Sequence, residues 1–197
     1  MAAEKHSGPV CGGWLRVLQS GSSQKIHCQE ETEMHVKREI SPKKVQKDAE
    51  NNYRNGFYCC EALMSAICDN FELDVPPEVI AMSSGMAVGV GRSGCICGAL
   101  NGGIMALGLF FGRTEPNGPK DPKSIKVMQL ANELHDWFKK ANGKGATCCR
   151  ILTREFDMGK GEHKEQCIRF TGLCAWKVAD IVIRELGLVN LDGQDAE

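Results

Sequence analysis

The sequence has little of what marks most functional classes. Its longest apolar run, Ile104 to Phe111, is eight residues, against the ~20 that a membrane-spanning helix needs; no insertion into a membrane is expected. Neither sign of charge dominates, with 24 Lys and Arg against 25 Asp and Glu. That balance, without a polybasic stripe, supplies no field able to hold nucleic acid. Aromatic residues make up 6% of the 197, so a core must be built from Leu, Ile, Val, Met and Ala. No apolar stretch of a secretory leader occurs in the first twenty residues. Strand signals are sparse, and the expected class is all-α.

Familiar cysteine spacings are missing as well. There is no C-x₂-C, hence neither a zinc knuckle nor a thioredoxin-like dithiol. No C-x-x-C-H is present for covalent haem, and no compact ferredoxin run. Yet cysteine itself is abundant. Eleven thiols, an odd number, suit a secreted disulfide framework poorly. The expected location is a reducing cytoplasm, where thiols stay free or bind metal.

Residues 1–47 are rich in Gly, Ser, Lys, Glu and His without a sustained hydrophobic period. They are expected to be a disordered tail, or in part the product of a start set ahead of Met34. Cys11 and Cys28 lie in it. Ser41-Pro42 reads as an N-cap followed by proline at the first helical position. Helical character then runs to Phe71, interrupted at Asn55-Gly56, with Cys60, Met64, Ile67, Cys68 and Phe71 on one face. A short helix follows Asp74, and Gly85 to Gly94, with four glycines, reads as an irregular loop. Further helices are predicted from about Cys97 to Phe111, from Pro122 to Lys139 or Lys140, in one turn at Cys149 to Leu152, and from Glu165 to Leu186. Gly187 is a helix stop. Residues 48–188 form the expected domain of about five helices, and 189–197 a frayed acidic tail.

Gly89 to Gly94 matches G-x-G-x-x-G in letters, but no strand precedes it and no βαβ unit surrounds it. A loop that lets backbone approach something closely is the better reading. Cys97-Gly98-Ala99-Leu100-Asn101-Gly102 carries more information. At a helix start the Cys97 sulfur meets the positive end of the macrodipole, which favours the thiolate. Gly98 and Gly102, four apart, leave one helical face bare for a neighbouring helix or an inorganic group. Cys60, Cys149 and Cys167 each fall near a helix start or on an inner face. Four elements offering one thiolate each could converge on one site, and such a donor set suits iron–sulfur or zinc. His163 is a weaker nitrogen donor candidate. Cys68 and Cys174 read as core residues.

The order Cys60, then Cys97-Gly98-Ala99-x-x-Gly102, then Cys149, then Cys167 resembles the C-GCAxxG-C-C family of redox-active proteins. Cys60-Glu61-Ala62-Leu63 and Cys149-Arg150-Ile151-Leu152 extend the likeness, which covers roughly residues 49–186. The family is helical and is similar to the cluster-bearing part of split-Soret cytochrome c. The resemblance implies a [2Fe–2S]-type iron–sulfur cluster held by Cys60, Cys97, Cys149 and Cys167, with Gly98 and Gly102 beside it. It implies one-electron transfer with a partner oxidoreductase, by a carrier or accessory protein rather than a stand-alone enzyme. Here the sequence departs from the pattern with an extra thiol at Cys95 and doubled thiols at 59/60 and 148/149. The doublings leave open which member of each pair is the ligand. Two other readings compete: a thiol/disulfide redox protein, and a zinc or soft-metal module without electron transfer. An exposed small-residue face could also support a homodimer.

Overall fold

The computed structural model describes residues 34–193. Ser41 caps the first helix, α1 (Pro42–Arg54), by accepting from the Lys44 N–H at 3.1 Å, with Pro42 at its start. A second acceptor comes from the other end of the chain. Asp192 takes the Lys43 N–H at 2.7 Å and the Ser41 hydroxyl. Beside this cap, β1 (Glu39–Ile40) pairs in parallel with β2 (Val189–Asn190).

These contacts correct both tail boundaries. Residues 42–47 are helical, with Val45 fully buried, and 189–193 form a strand and a 3₁₀ turn that cap α1. Each segment is polar and looks unstructured alone; each is held by pairing with the other. Residues 1–33, with Cys11 and Cys28, and residues 194–197 lie outside the described residues.

The chain break expected at Asn55-Gly56 separates α1 from α2 (Cys59–Asn70). A capping box opens α2: Glu61 reaches back to the Tyr58 N–H at 2.7 Å. Cys59, Cys60 and the residues from Ala62 to Cys68 are all buried, so α2 is covered on nearly every side rather than on the single predicted face. Short elements α3 (Glu78–Ala81) and α4 (Ala87–Val90) lead to α5 (Gly98–Phe111). Then α6 (Pro122–Ala141) starts on an Asp121 cap, α7 (Cys149–Leu152) is a single turn, and α8 (Lys164–Leu186) ends on Gly187 with φ 62°.

α8 packs against α1, α2, α5 and α6, and its Phe170, Cys174, Val178, Ile181 and Val182 are almost wholly buried. The predicted stripe of α6 contributes Leu130, Leu134 and Phe138, and Phe138 meets Phe170 edge to face at 5.5 Å. Glycine sets how close α5 comes. A Cβ on Gly102 would lie 2.9 Å from Cys60 Cα and 3.0 Å from its carbonyl oxygen. At Gly103 it would lie 2.7 Å from Leu134 Cδ2. The bare face of α5 at Gly102 is therefore filled by α2. Cys68 and Cys174 are buried, as their apolar surroundings predict. The fold is all-α, with five helices of twelve residues or more and a two-stranded pairing at its rim.

Candidate metal centre

Three predicted thiols sit at helix starts, and a fourth lies one turn in. Cys97 is the N-cap of α5, Cys149 is the first residue of α7, and Cys167 lies in the first turns of α8. The thiol that opens α2 is Cys59, one residue before the predicted Cys60. Backbone N–H groups without helical partners point out of such ends and favour negative charge.

Two of the four segments are tied together by backbone hydrogen bonds. Cys97 N–H donates to Thr147 O at 2.8 Å, Cys149 N–H to Cys95 O, and Arg150 N–H to Gly94 O at 2.9 Å. An isolated antiparallel bridge joins Ile96 to Cys148. Hence the loop before α5 and the segment before α7 form one wall, although more than 40 residues separate them in sequence.

Cys59, rather than Cys60, faces that wall. A Cβ on Gly98 would overlap Cys59 Sγ, so glycine at 98 leaves room for the sulfur. The charge of Cys59 is felt at Cys97, Cys149, Cys167 and Cys174. Cys59 and Glu61 are the charged neighbours that act most on Cys60. Its S–H proton faces two acceptors, Ser83 O at 2.9 Å and Cys59 Sγ. Adjacent helical residues diverge by about 100°, so one of the two thiols turns to the wall and the other toward Ser83. Sequence reasoning chose Cys60 from the Glu-Ala that follows it; the direction of each side chain was set by where α5 packs.

These roles separate the two acidities. The Cys60 thiol and the N–H groups of Val88 and Cys60 hold Cys59 below the usual thiol range, against the burial that raises it. The Cys60 thiol is pushed up by its bond to Cys59 and by burial. Burial raises Cys97 well above the usual value, with the charge of Cys59 adding to it. Burial and the Cys59 charge raise Cys149 to about 11 and Cys167 to about 12. Without a cation at the centre, four buried thiolates cannot coexist; the first to ionise raises the others. Such a set is suited to a positively charged group that draws off the protons.

Two residues were missed by the sequence reading. Tyr53, on α1, hydrogen-bonds Cys167, which favours the thiolate and works against the burial that raises the pKa of that thiol. Burial and the neighbouring thiols raise the Tyr53 phenol itself. Lys144 lies close enough to favour the Cys167 thiolate and holds the Leu152 carbonyl at 2.9 Å. Neither sits in a motif, and no local sequence signal marks them. His163 also lies near this end of the molecule, with its Nδ1 buried and without a partner among the described residues. Cys95 is exposed, and Cys148 donates its S–H to Gly94 O at 3.0 Å.

The loop between α3 and α5 contains an unusual turn. Val88, Gly89, Val90, Gly91 and Arg92 all have positive φ, from 53° to 73°. Five left-handed residues in succession, two of them β-branched, carry strain of about 1–3 kcal/mol per non-glycine residue. Gly89 is required twice over, since a Cβ there would lie 2.8 Å from Cys149 Cβ as well as on backbone. The turn delivers the Val88 N–H to Cys59 Sγ. Close backbone approach was the expected use of this glycine-rich loop.

The residues present fit a thiolate-bound metal or metal–sulfur group by donor chemistry and by the wall cleared at Gly98. Among the described residues, no three His, Cys, Asp or Glu side chains are already drawn in to the distance of a single metal ion. Also among the described residues, no helix is long and apolar enough to cross a membrane. No curated protein and no solved structure matches the chain. The family model described as "Putative redox-active protein (C_GCAxxG_C_C)" matches residues 57–181, more than half of the chain, and the protein belongs to that family.

Proposed function

We propose that this protein holds an iron–sulfur cluster of the [2Fe–2S] type through Cys59, Cys97, Cys149 and Cys167, and exchanges single electrons with a partner oxidoreductase. The observation that supports this reading is the hydrogen-bonded wall that carries Cys97 and Cys149, with Cys59 Sγ packed against Gly98 beside it and Cys167 close enough to feel the charge of Cys59 and Cys149. Cys59 takes the place that the motif alone gave to Cys60. When bound, the cluster supplies a reversible one-electron couple.

The chain's own residues do the rest. Helix starts and the Val88 N–H donate toward sulfur, which favours the more negative, reduced state against the burial that disfavours it. Tyr53 donates to Cys167 and covers it from one side. The buried environment excludes water from Cys97. Gly98 lies against Cys59 and keeps that wall open, whereas Gly102 serves the contact with α2. The segments bearing the thiols also expose apolar side chains, Val90, Ile96 and Ile151 at 44–46%, a surface suited to transient contact with a protein partner.

Anaerobic purification, a visible spectrum, and iron and sulfide analysis test the reading. The expected result is a coloured protein with iron and sulfide in equal amounts. Cys59→Ser should lose both, whereas Cys60→Ser should retain them. A colourless protein containing zinc, or a metal-free protein with a reducible disulfide, would overturn the cluster. A cluster kept by Cys59→Ser and lost by Cys60→Ser would overturn the ligand set.

A further inference from the structure

Beside the thiol wall lies an open cleft of about 640 Å³, within the size range of small-molecule sites. Tyr53 and Val88 belong to both: each lines the cleft and each bonds a thiol of the centre. The cleft's other lining divides into two kinds. Phe57 and Tyr58, at the α1–α2 junction, present rings that are 43% and 45% exposed. Opposite charges are scarce, with Arg54, Arg92, Lys160 and Lys164 set against Glu165 alone.

The excess of cations is local, since the whole chain is balanced at −1. Glu165 approaches Arg54 only at 3.8 Å, and Lys160 is 3.7 Å from Asp157. Arg92 and Lys164 have no ion pair among the described residues. Arg92 is also carried by the left-handed turn, so backbone strain is spent on a segment that aims a cation at this opening. His163 lines the same cleft, and its buried Nδ1 lacks a partner. Leaving such an atom unpaired is unfavourable, and a ligand atom could offset that.

From this combination we infer that the cleft binds a planar aromatic anion, a ring system bearing a phosphate or carboxylate, stacked at Phe57 and Tyr58 with its charge toward Arg92 and Lys164. Rings give the flat body a face to lie on, and the unpaired cations fix the direction of its charged end. A molecule held there touches Tyr53, which contacts Cys167. Binding itself does not depend on the cluster; only a redox use of the ligand rests on the function proposed above.

Flavin mononucleotide is a suitable probe because it is planar, anionic and fluorescent, and riboflavin offers the same ring without the phosphate. Both are titrated into the full-length protein, with iron and sulfide measured on the same sample. Flavin mononucleotide should saturate one site and bind about tenfold or more tighter than riboflavin, the scale of one or two charge-assisted contacts. The double variant Arg92→Glu/Lys164→Glu, checked for unchanged helicity, should abolish that preference, and Tyr58→Ala should weaken both probes. Equal affinity for the two probes, or an undiminished preference in the double variant, overturns the inference. Iron-replete protein that fails to bind flavin mononucleotide sinks this inference and leaves the cluster standing. Binding by protein without iron does the reverse.

Discussion

Three glycines on α5 give a sharp test, because one substitution, Gly→Ala, should have opposite effects along a single helix. Alanine is worth up to about 1 kcal/mol over glycine in a helix interior. At Gly108 a Cβ meets nothing within 4 Å, so that gain should appear undiminished. For a domain of this size, 1 kcal/mol corresponds to about 2–4 °C in Tm. Gly102 has the same propensity to gain, but its Cβ would stand 2.9 Å from Cys60 Cα and 3.0 Å from Cys60 O. Those are backbone atoms of a buried helix and cannot rotate aside. Overpacking of this kind costs about 1–3 kcal/mol, which outweighs propensity and should lower Tm by a few degrees. At Gly98 the obstacle is Cys59 Sγ, with Ala87 Cα and Met86 O at 3.3 Å. A sulfur can move, so Gly98→Ala should change stability less than Gly102→Ala while reducing iron and sulfide content. Thermal unfolding of the three variants, with metal analysis on each, makes the comparison. A shift of the same sign and size at all three positions would refute the packing argument, and full cluster content in Gly98→Ala would refute the place given to Cys59.

Two further outcomes follow from the rim of the fold. Arg184 and Lys177 hold the Glu133 carboxyl down to about 2, from an ordinary 4.5. A depressed folded value stabilises above the unfolded one, and that contribution is lost as pH falls from about 4.5 through about 2. Glu133→Gln should therefore flatten the dependence of Tm on pH across that window, and an unchanged profile would remove Glu133 from the account. Asp192→Ala should destabilise the protein by about 1 kcal/mol, since it removes an acceptor from the start of α1. Thermal unfolding at neutral pH reads this, and an unchanged Tm would mean that Ser41 alone suffices as the cap.

Much of the architecture was legible in the sequence because its signals are local. Ser41-Pro42 and Asp121-Pro122 begin helices where capping requires, and Gly187 ends one in a left-handed conformation. The stripe of Leu130, Leu134 and Phe138 has helical spacing and faces inward. Cysteine order pointed to the family. Tyr53 and Lys144 could not be found this way, since their contact with Cys167 joins segments that no local pattern links.

The sequence by itself determined the helical class, the helix starts that carry thiols, and the glycines that permit close approach. Only tertiary structure decided which of two neighbouring thiols lies against Gly98 and which turns to Ser83. Successive residues on a helix point about 100° apart, so choosing between Cys59 and Cys60 requires knowing where α5 lies against α2. The tails were likewise decided in three dimensions. Glu39–Ile40 and Val189–Asn190 are too short and polar to order alone, and they order because each completes the other's hydrogen bonds. The left-handed run from Val88 to Arg92 belongs to the same class of fact. Nothing in two valines asks for positive φ; the Val88 N–H bonds Cys59, and the Gly89 and Val90 carbonyls accept from the Cys95 and Ser93 N–H groups.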